Sequence, residues 1–230
     1  MSEKILVIAA HPDDEVLGCG GTIAKHIKNG GTVYVAILAE GITSRYCKNS
    51  KSYKKNKELS KLSNSIKNAN NILGVKSIIT NNFPDNRMDS LNRLEIIKFI
   101  EKLISNFKPN IIYTHFFNDL NIDHQITSEC VITACRPTSN QSVKRILFFE
   151  IPSSTEWQFT KSKENFSPNW FIDISKTLDI KLKAIKEYQS ELRKFPHPRS
   201  IKSIEHLSHW RGSSIGVESA EAFVLSRNLE

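Results

Sequence analysis

The chain is poor in the features that would assign it most quickly. Its four cysteines, Cys19, Cys47, Cys130 and Cys135, contain no CxxC pair. They read as small buried hydrophobes in a reducing compartment rather than as a disulfide framework or a cysteine metal site. Cys130 and Cys135, five apart, diverge on a helix. No long apolar run exists: "MSEKILVIAAH" holds only six apolar residues before a histidine. That is too short for a signal peptide or a membrane span, and the expectation is a cytoplasmic protein with no membrane span. There is no GxGxxG. The glycines of "GCGG" begin at Gly18, eight positions past Ala10, whereas a phosphate-cradling loop follows its strand at once. Internal repeats are absent too. So is a nucleic-acid motif, although Lys+Arg exceed Asp+Glu by 32 to 24. That excess reads as a solvated lysine-rich surface, densest from Lys48 to Lys61, and not as a nucleic-acid partner.

Short continuous apolar runs are what the sequence does have. They fall at 4–10, 32–41, 77–83, 110–116, 144–152 and 169–175. Unbroken apolar runs of this length mark strands buried on both faces, as in a parallel sheet. Amphipathic stretches lie between them at 16–29, 56–73, 91–107, 125–136 and 176–194. The alternation predicts an α/β fold: a three-layer α/β/α sandwich on a mostly parallel, Rossmann-like sheet, in one domain over 1–230. Ligands of such sheets bind beyond the carboxyl ends of the strands. The loops there are "HPDDE", "EGITSR", "FPDNRMD" and "HFFNDLNIDH".

The loop after the first strand crowds Asp13, Asp14 and Glu15 beside His11, with no basic residue before Lys25. Carboxylates this close repel unless a cation sits among them. His11 and Asp14 are spaced to share one ion, and His124, at the same sheet edge, completes a set of two histidines and one aspartate. Three protein ligands and an open position are what a catalytic zinc site has. Helix capping by Asp13 or Asp14 is the competing reading. Pro12 stiffens this loop, and Gly18, Gly20 and Gly21 permit a close approach at the helix start. Asp85 and Arg87 are candidates for holding hydroxyls or a phosphate of a ligand, with a locally bonded turn as the alternative. Arg45 reaches toward substrate or stays solvated. Trp157 stacks on a ligand ring or packs in the core.

"AHPDDEVLGCGGTIAKHIKNGGTVYVAILAEG" resembles the opening of the PIG-L/LmbE-like zinc-dependent N-deacetylases. "LGV" (73–75), "FPDNRMD" (83–89), "NDLNIDHQIT" (118–127), "EIPSSTEW" (150–157), "HPRS" (197–200), "RG" (211–212) and "AEAF" (220–223) follow in the family's order. The resemblance implies His11, Asp14 and His124 as ligands of one zinc ion per chain, with ferrous iron as the alternative metal. It implies Asp13 as general base and an N-acetylated amino sugar as the small-molecule substrate. An amidase for a thiol–sugar conjugate, and a metal-bound module without catalysis, are the competing functions. A homo-oligomer is compatible with all three. Some relatives carry a histidine where this chain has Asn121, so His115 and His197 become the candidates for oxyanion stabilisation, with Asn121 among the substrate-binding residues. Asp123 either orients a neighbouring histidine or caps a helix.

Overall fold

A computed structural model describes residues 3–42, 44, 52–159 and 165–230, with the side chains of 52–55 excluded. Arg45 and Cys47 lie outside the described residues. β1 (Lys4–Ala9), β2 (Thr32–Ala39), β3 (Ser77–Phe83), β4 (Ile111–His115) and β5 (Arg145–Phe149) run parallel. β7 (Ala220–Asn228) pairs antiparallel with both β5 and β6 (Trp170–Asp173), giving one sheet of order β3-β2-β1-β4-β5-β7-β6.

β1 shows why the apolar runs are unbroken. Ile5 and Val7 enter one core, while Leu6 and Ile8 enter the other. The first core is closed by α1 (Asp14–Lys28), α2 (Ser52–Leu73), α5 (Leu178–Ile185) and α6 (Ile201–Ser213). The second is closed by α3 (Arg93–Phe107) and α4 (Ile122–Ala134). With both faces covered, a strand has no solvent side on which to place polar residues.

The five parallel strands, β6 and the first four helices match the sequence expectation to within a few residues. Three differences have physical causes. The helix expected over 176–194 stops at Ile185, and the chain continues in turns to Ser200. α6 was not foreseen because its buried positions, Ile204, Ser208 and Gly212, include only one apolar side chain. β7 was not foreseen because Glu221, Ser226 and Arg227 interrupt it. Among the described residues, no helix is long and apolar enough to cross a membrane. Cys19, Cys130 and Cys135 are buried and unbridged, and burial pushes all three thiols up.

β1 lies between β2 and β4, where the strand order reverses direction. The loops leaving β1 and β4 therefore splay apart and open a crevice at the carboxyl edge.

Candidate functional site

That crevice holds the cluster. β1 ends at Ala9, and the chain delivers His11 and Asp14 within five residues. β4 ends at His115, and nine residues later the first turn of α4 delivers His124. Asn121 caps α4, its side chain accepting from Asp123 N (2.8 Å). His11 Nδ1 lies 3.2 Å from His124 Nε2 and 3.4 Å from Asp14 Oδ2, and His124 Nε2 lies 3.3 Å from Asp14 Oδ2. Three potential ligand atoms thus form a nearly equilateral triangle.

Each imidazole is backed by a buried carboxylate. His11 Nε2 is 3.0 Å from Asp123 Oδ2, and Asp123 is itself fixed by backbone donors from Asn86 (2.7 Å) and Met88 (2.9 Å). On the other ring, His124 Nδ1 lies 3.1 Å from Asp119 Oδ1, in ion-pair reach though not aligned as a hydrogen bond. Asp119 accepts from Ser154 Oγ, from Thr155 Oγ1 (2.6 Å) and from Asn121 N (2.8 Å). A carboxylate at one ring nitrogen favours the proton there and leaves a lone pair on the other. Deprotonated on that side, as metal binding requires, His11 Nδ1 and His124 Nε2 would turn their lone pairs to the same point as Asp14 Oδ2, and Asp14 Oδ1 is buried without a partner.

This arrangement can hold a metal ion. Tetrahedral bonds of 2.0–2.1 Å, as zinc makes to nitrogen, place neighbouring donors about 3.3–3.4 Å apart. The observed edges of 3.2–3.4 Å fit that figure. The electrostatics ask for positive charge as well. Burial alone would lower His11, but Asp123, Asp14 and Asp85 outweigh it and push the ring up to about 10. Burial likewise opposes the charge on His124, while Asp14 and Asp119 raise it to about 9. A second group, His11, Asp85 and Asp123, uses the other nitrogen of the same ring. There Asp123 already takes two backbone hydrogen bonds, which suits it to orienting His11.

Asp13 stands apart from the triangle. Its backbone takes φ 104°, a conformation that side-chain-bearing residues rarely adopt. Glu15 secures it: Glu15 Oε2 accepts from Asp13 N (3.1 Å), and Oε1 accepts from Asn70 Nδ2 (2.9 Å) and Tyr188 OH (2.5 Å). Burial pushes Glu15 up to about 7 against these hydrogen bonds. Asp13 Oδ2 accepts from Arg199 Nη1 (3.0 Å), and Arg199 Nε donates to Ser153 Oγ (2.9 Å). Burial pushes the Asp13 carboxyl up, and Arg199 opposes it.

A cleft of about 140 Å³ opens here, lined by His11, Asp13, Asp85, Asn121, Glu191 and Arg199 among others. Asp85 reaches it, but its Oδ2 accepts from Ser44 N (3.1 Å) and Ser44 Oγ. Asn121 reaches it with its amide donating to Asn86 Oδ1 (2.8 Å). Three expected residues fall elsewhere. His115 is fully buried behind the triangle, stacked on His124 at 3.9 Å, with Nε2 accepting from Ala10 N (2.8 Å). Burial and the neighbouring His124 hold its pKa well below the usual value, and it does not line the cleft. His197 does not line the cleft: its Nδ1 accepts from Arg199 N (3.0 Å) and its ring meets Trp157 edge-on. Arg87 is exposed and outside the lining. Asp119, Glu191 and Arg199 were not foreseen. "HPRS" carried the only sequence signal for Arg199, and "NDLNIDH" the only one for Asp119.

Residues 6–135 match the family described as PIG-L: GlcNAc-PI de-N-acetylase. The chain belongs to this family. Its reaction class is hydrolytic N-deacetylation. It is 29% identical over 200 residues to the uncharacterized deacetylase YaiS of Escherichia coli K12, covering 81% of this chain and 90% of that one. It is also 29% identical over 196 residues to the diacetylchitobiose deacetylase of Thermococcus kodakarensis, covering 82% of this chain and 70% of that one. Among solved structures, GalB of Pseudomonas putida KT2440, a 4-carboxy-2-hydroxymuconate hydratase, superimposes with a TM-score of 0.78 at 19% identity, covering 99% and 98% of the two chains. The PIG-L family fold is thus shared with a hydratase. The fold alone does not fix the reaction, and the site residues must carry it.

Proposed function

We propose that this chain hydrolyses the N-acetyl amide of an amino sugar, with one zinc ion held by His11, Asp14 and His124. The carrying observation is the triangle of donors at 3.2–3.4 Å, each imidazole set by its own buried carboxylate. When bound, such an ion polarises a carbonyl and acidifies water.

Asp13 is the general base. It takes a proton from water as the water oxygen joins the amide carbon, then gives that proton to the amine nitrogen as the C–N bond breaks. Acetate and a free amine leave. Arg199 holds one oxygen of Asp13, which keeps the carboxylate turned from the metal ligands. Asp85 and Asn121 lie at the cleft where sugar hydroxyls would reach. Asp14 neutralises the ion, so two adjacent aspartates divide ligand and base between them.

Metal analysis combined with amine release from N-acetylated sugars tests this reading. Asp13→Asn should lower turnover roughly 10²–10⁴-fold, the usual share of a general base, with metal content unchanged. Full turnover in the metal-replete variant would remove Asp13 from that role.

A further inference from the structure

The turn after β5 sends consecutive side chains to two different halves of the site. Ser153, Ser154 and Thr155 place three hydroxyls in a row. Ser154 Oγ and Thr155 Oγ1 (2.6 Å) both donate to Asp119, the carboxylate behind His124. Ser153 Oγ instead accepts from Arg199 Nε (2.9 Å), and Arg199 Nη1 donates to Asp13 Oδ2 (3.0 Å). One turn therefore touches the partner of a metal-binding histidine and the partner of the base. Residues 153–156 stand outside the lining of the cleft.

The division depends on the backbone at Ser153. Its φ is 67°, in the left-handed region that residues with side chains seldom occupy. Glu156 holds it there: Oε1 accepts from Ser153 N (2.6 Å) and Oε2 from Ser154 N (3.3 Å). Ile151 closes the rest of the turn. Its carbonyl accepts from Ser154 N (3.1 Å) and Thr155 N (3.0 Å), and its N–H donates to Thr155 Oγ1 (2.8 Å). Ser154 and Thr155 are buried, whereas Glu156 is exposed, so Glu156 can be changed without opening the core.

We infer that Ser153 and Glu156 are positioning residues that couple the two halves of the site. Ser153 fixes the guanidinium of Arg199, and through it the direction of the Asp13 carboxylate. Glu156 fixes the turn, and with it both Ser153 and the two hydroxyls on Asp119. The base half of this inference rests on the deacetylation reading; the metal half rests only on the triangle of His11, Asp14 and His124. Misplacing a reacting group by about an ångström costs up to about 10²-fold in rate, so the loss falls on kcat and not on KM.

The test uses the full chain loaded with zinc. It measures amine release from N-acetylglucosamine and N,N'-diacetylchitobiose, and zinc affinity by chelator competition. Glycine suits φ 67° better than serine does, so Ser153→Gly keeps the fold and removes only the acceptor for Arg199. Its kcat should fall about tenfold, with KM, zinc affinity and Tm close to the parent's. Glu156→Ala releases the whole turn, so kcat should fall at least as far and zinc affinity about tenfold. Arg199→Lys lacks the Nε–H that Ser153 accepts, and in that background Ser153→Gly should add less than about twofold. A purely structural Ser153 predicts an unchanged kcat in Ser153→Gly. A kcat within twofold of the parent, or the full loss repeated in the Arg199→Lys background, would overturn the base half. Zinc affinity within twofold of the parent in Glu156→Ala would overturn the metal half. If the alanine variant does not fold, Glu156→Gln, which keeps one acceptor oxygen, is held to the same zinc criterion. A zinc-loaded parent that releases no amine from either sugar would overturn the deacetylation reading and the base half with it, and the zinc measurement would still decide the metal half.

Discussion

Asp119→Asn separates the charge behind His124 from the packing around it. Asp119 is fully buried, and its Oδ1 faces Ser154 Oγ, Asn121 N and His124 Nδ1. Only Thr155 Oγ1 donates to Oδ2. An asparagine can keep its carbonyl in the Oδ1 place and turn its NH₂ toward Thr155. That hydroxyl can rotate to accept, since hydroxyl hydrogens follow their partners. The fold therefore tolerates the change, and the loss is the negative charge that, on the proposed reading, makes the imidazole a better ligand. Burial opposes that charge, but His124 and the surrounding hydroxyls hold the Asp119 carboxyl down at about 2, so the carboxylate is ionised at any working pH. Losing such an orienting partner typically weakens metal binding 10–100-fold, or about 1.4–2.7 kcal/mol. Zinc competition against a chromogenic chelator near neutral pH would measure it, with circular dichroism to verify the fold. A folded Asp119→Asn protein that binds zinc within twofold of the parent would refute the assignment of Asp119 as the partner of a metal-binding histidine.

Other expectations concern the scaffold. In Gly18→Ala the new Cβ would overlap the Phe149 ring, and overpacking of this kind costs about 1–3 kcal/mol, readable as a lowered Tm. Lys181 Nζ donates to Glu221 Oε1 (2.6 Å), both residues being 4% exposed. Lys181→Met leaves that carboxylate buried without a counter-charge, held only by Gly21 N and Thr22 N, and a loss of up to about 3–5 kcal/mol should follow in urea unfolding; a loss under about 1 kcal/mol would show the pair to be dispensable. His26, at the far end of α1, sits 2.8 Å from Tyr113 OH, and burial lowers its pKa below 6.5 despite Glu3. The unfolded chain then binds more protons than the folded one as pH falls below 6.5, so stability drops in that direction. The urea midpoint should fall between pH 7 and pH 5 by less in His26→Asn than in the parent, and an identical fall in both would contradict this.

What could be read in advance divides by how local its cause is. β1, β2, β4 and β5 announce themselves because burial on both faces writes an apolar run, whereas β3, at the sheet edge, carries only a short one. β7 does not, since Glu221 is made acceptable only by Lys181, forty residues back, and by Gly21 N and Thr22 N, two hundred residues back. The site follows the same rule. His11, Asp14 and His124 stand in two short motifs with a chemical logic of their own. Arg199 acquires meaning only when the turns after α5 bring it to Asp13, 186 positions away in sequence. The two adjacent aspartates make the case most sharply. Consecutive side chains on the first turn of a regular helix would not divide a ligand's work from a base's work. Here Asp13 takes φ 104° just before α1 begins, so its carboxylate goes to Arg199 while that of Asp14 goes to the histidines. Such a conformation costs on the order of 1–3 kcal/mol in a residue with a side chain. Its carbonyl accepts from Val16 N (3.0 Å) and Leu17 N (2.9 Å), and its N–H is taken by Glu15. Glu15 is held in turn by Asn70 and Tyr188. The third carboxylate of "PDDE" is thus a strut for the first. It is buried at a cost so that Asp13 stays in a conformation it would not otherwise keep.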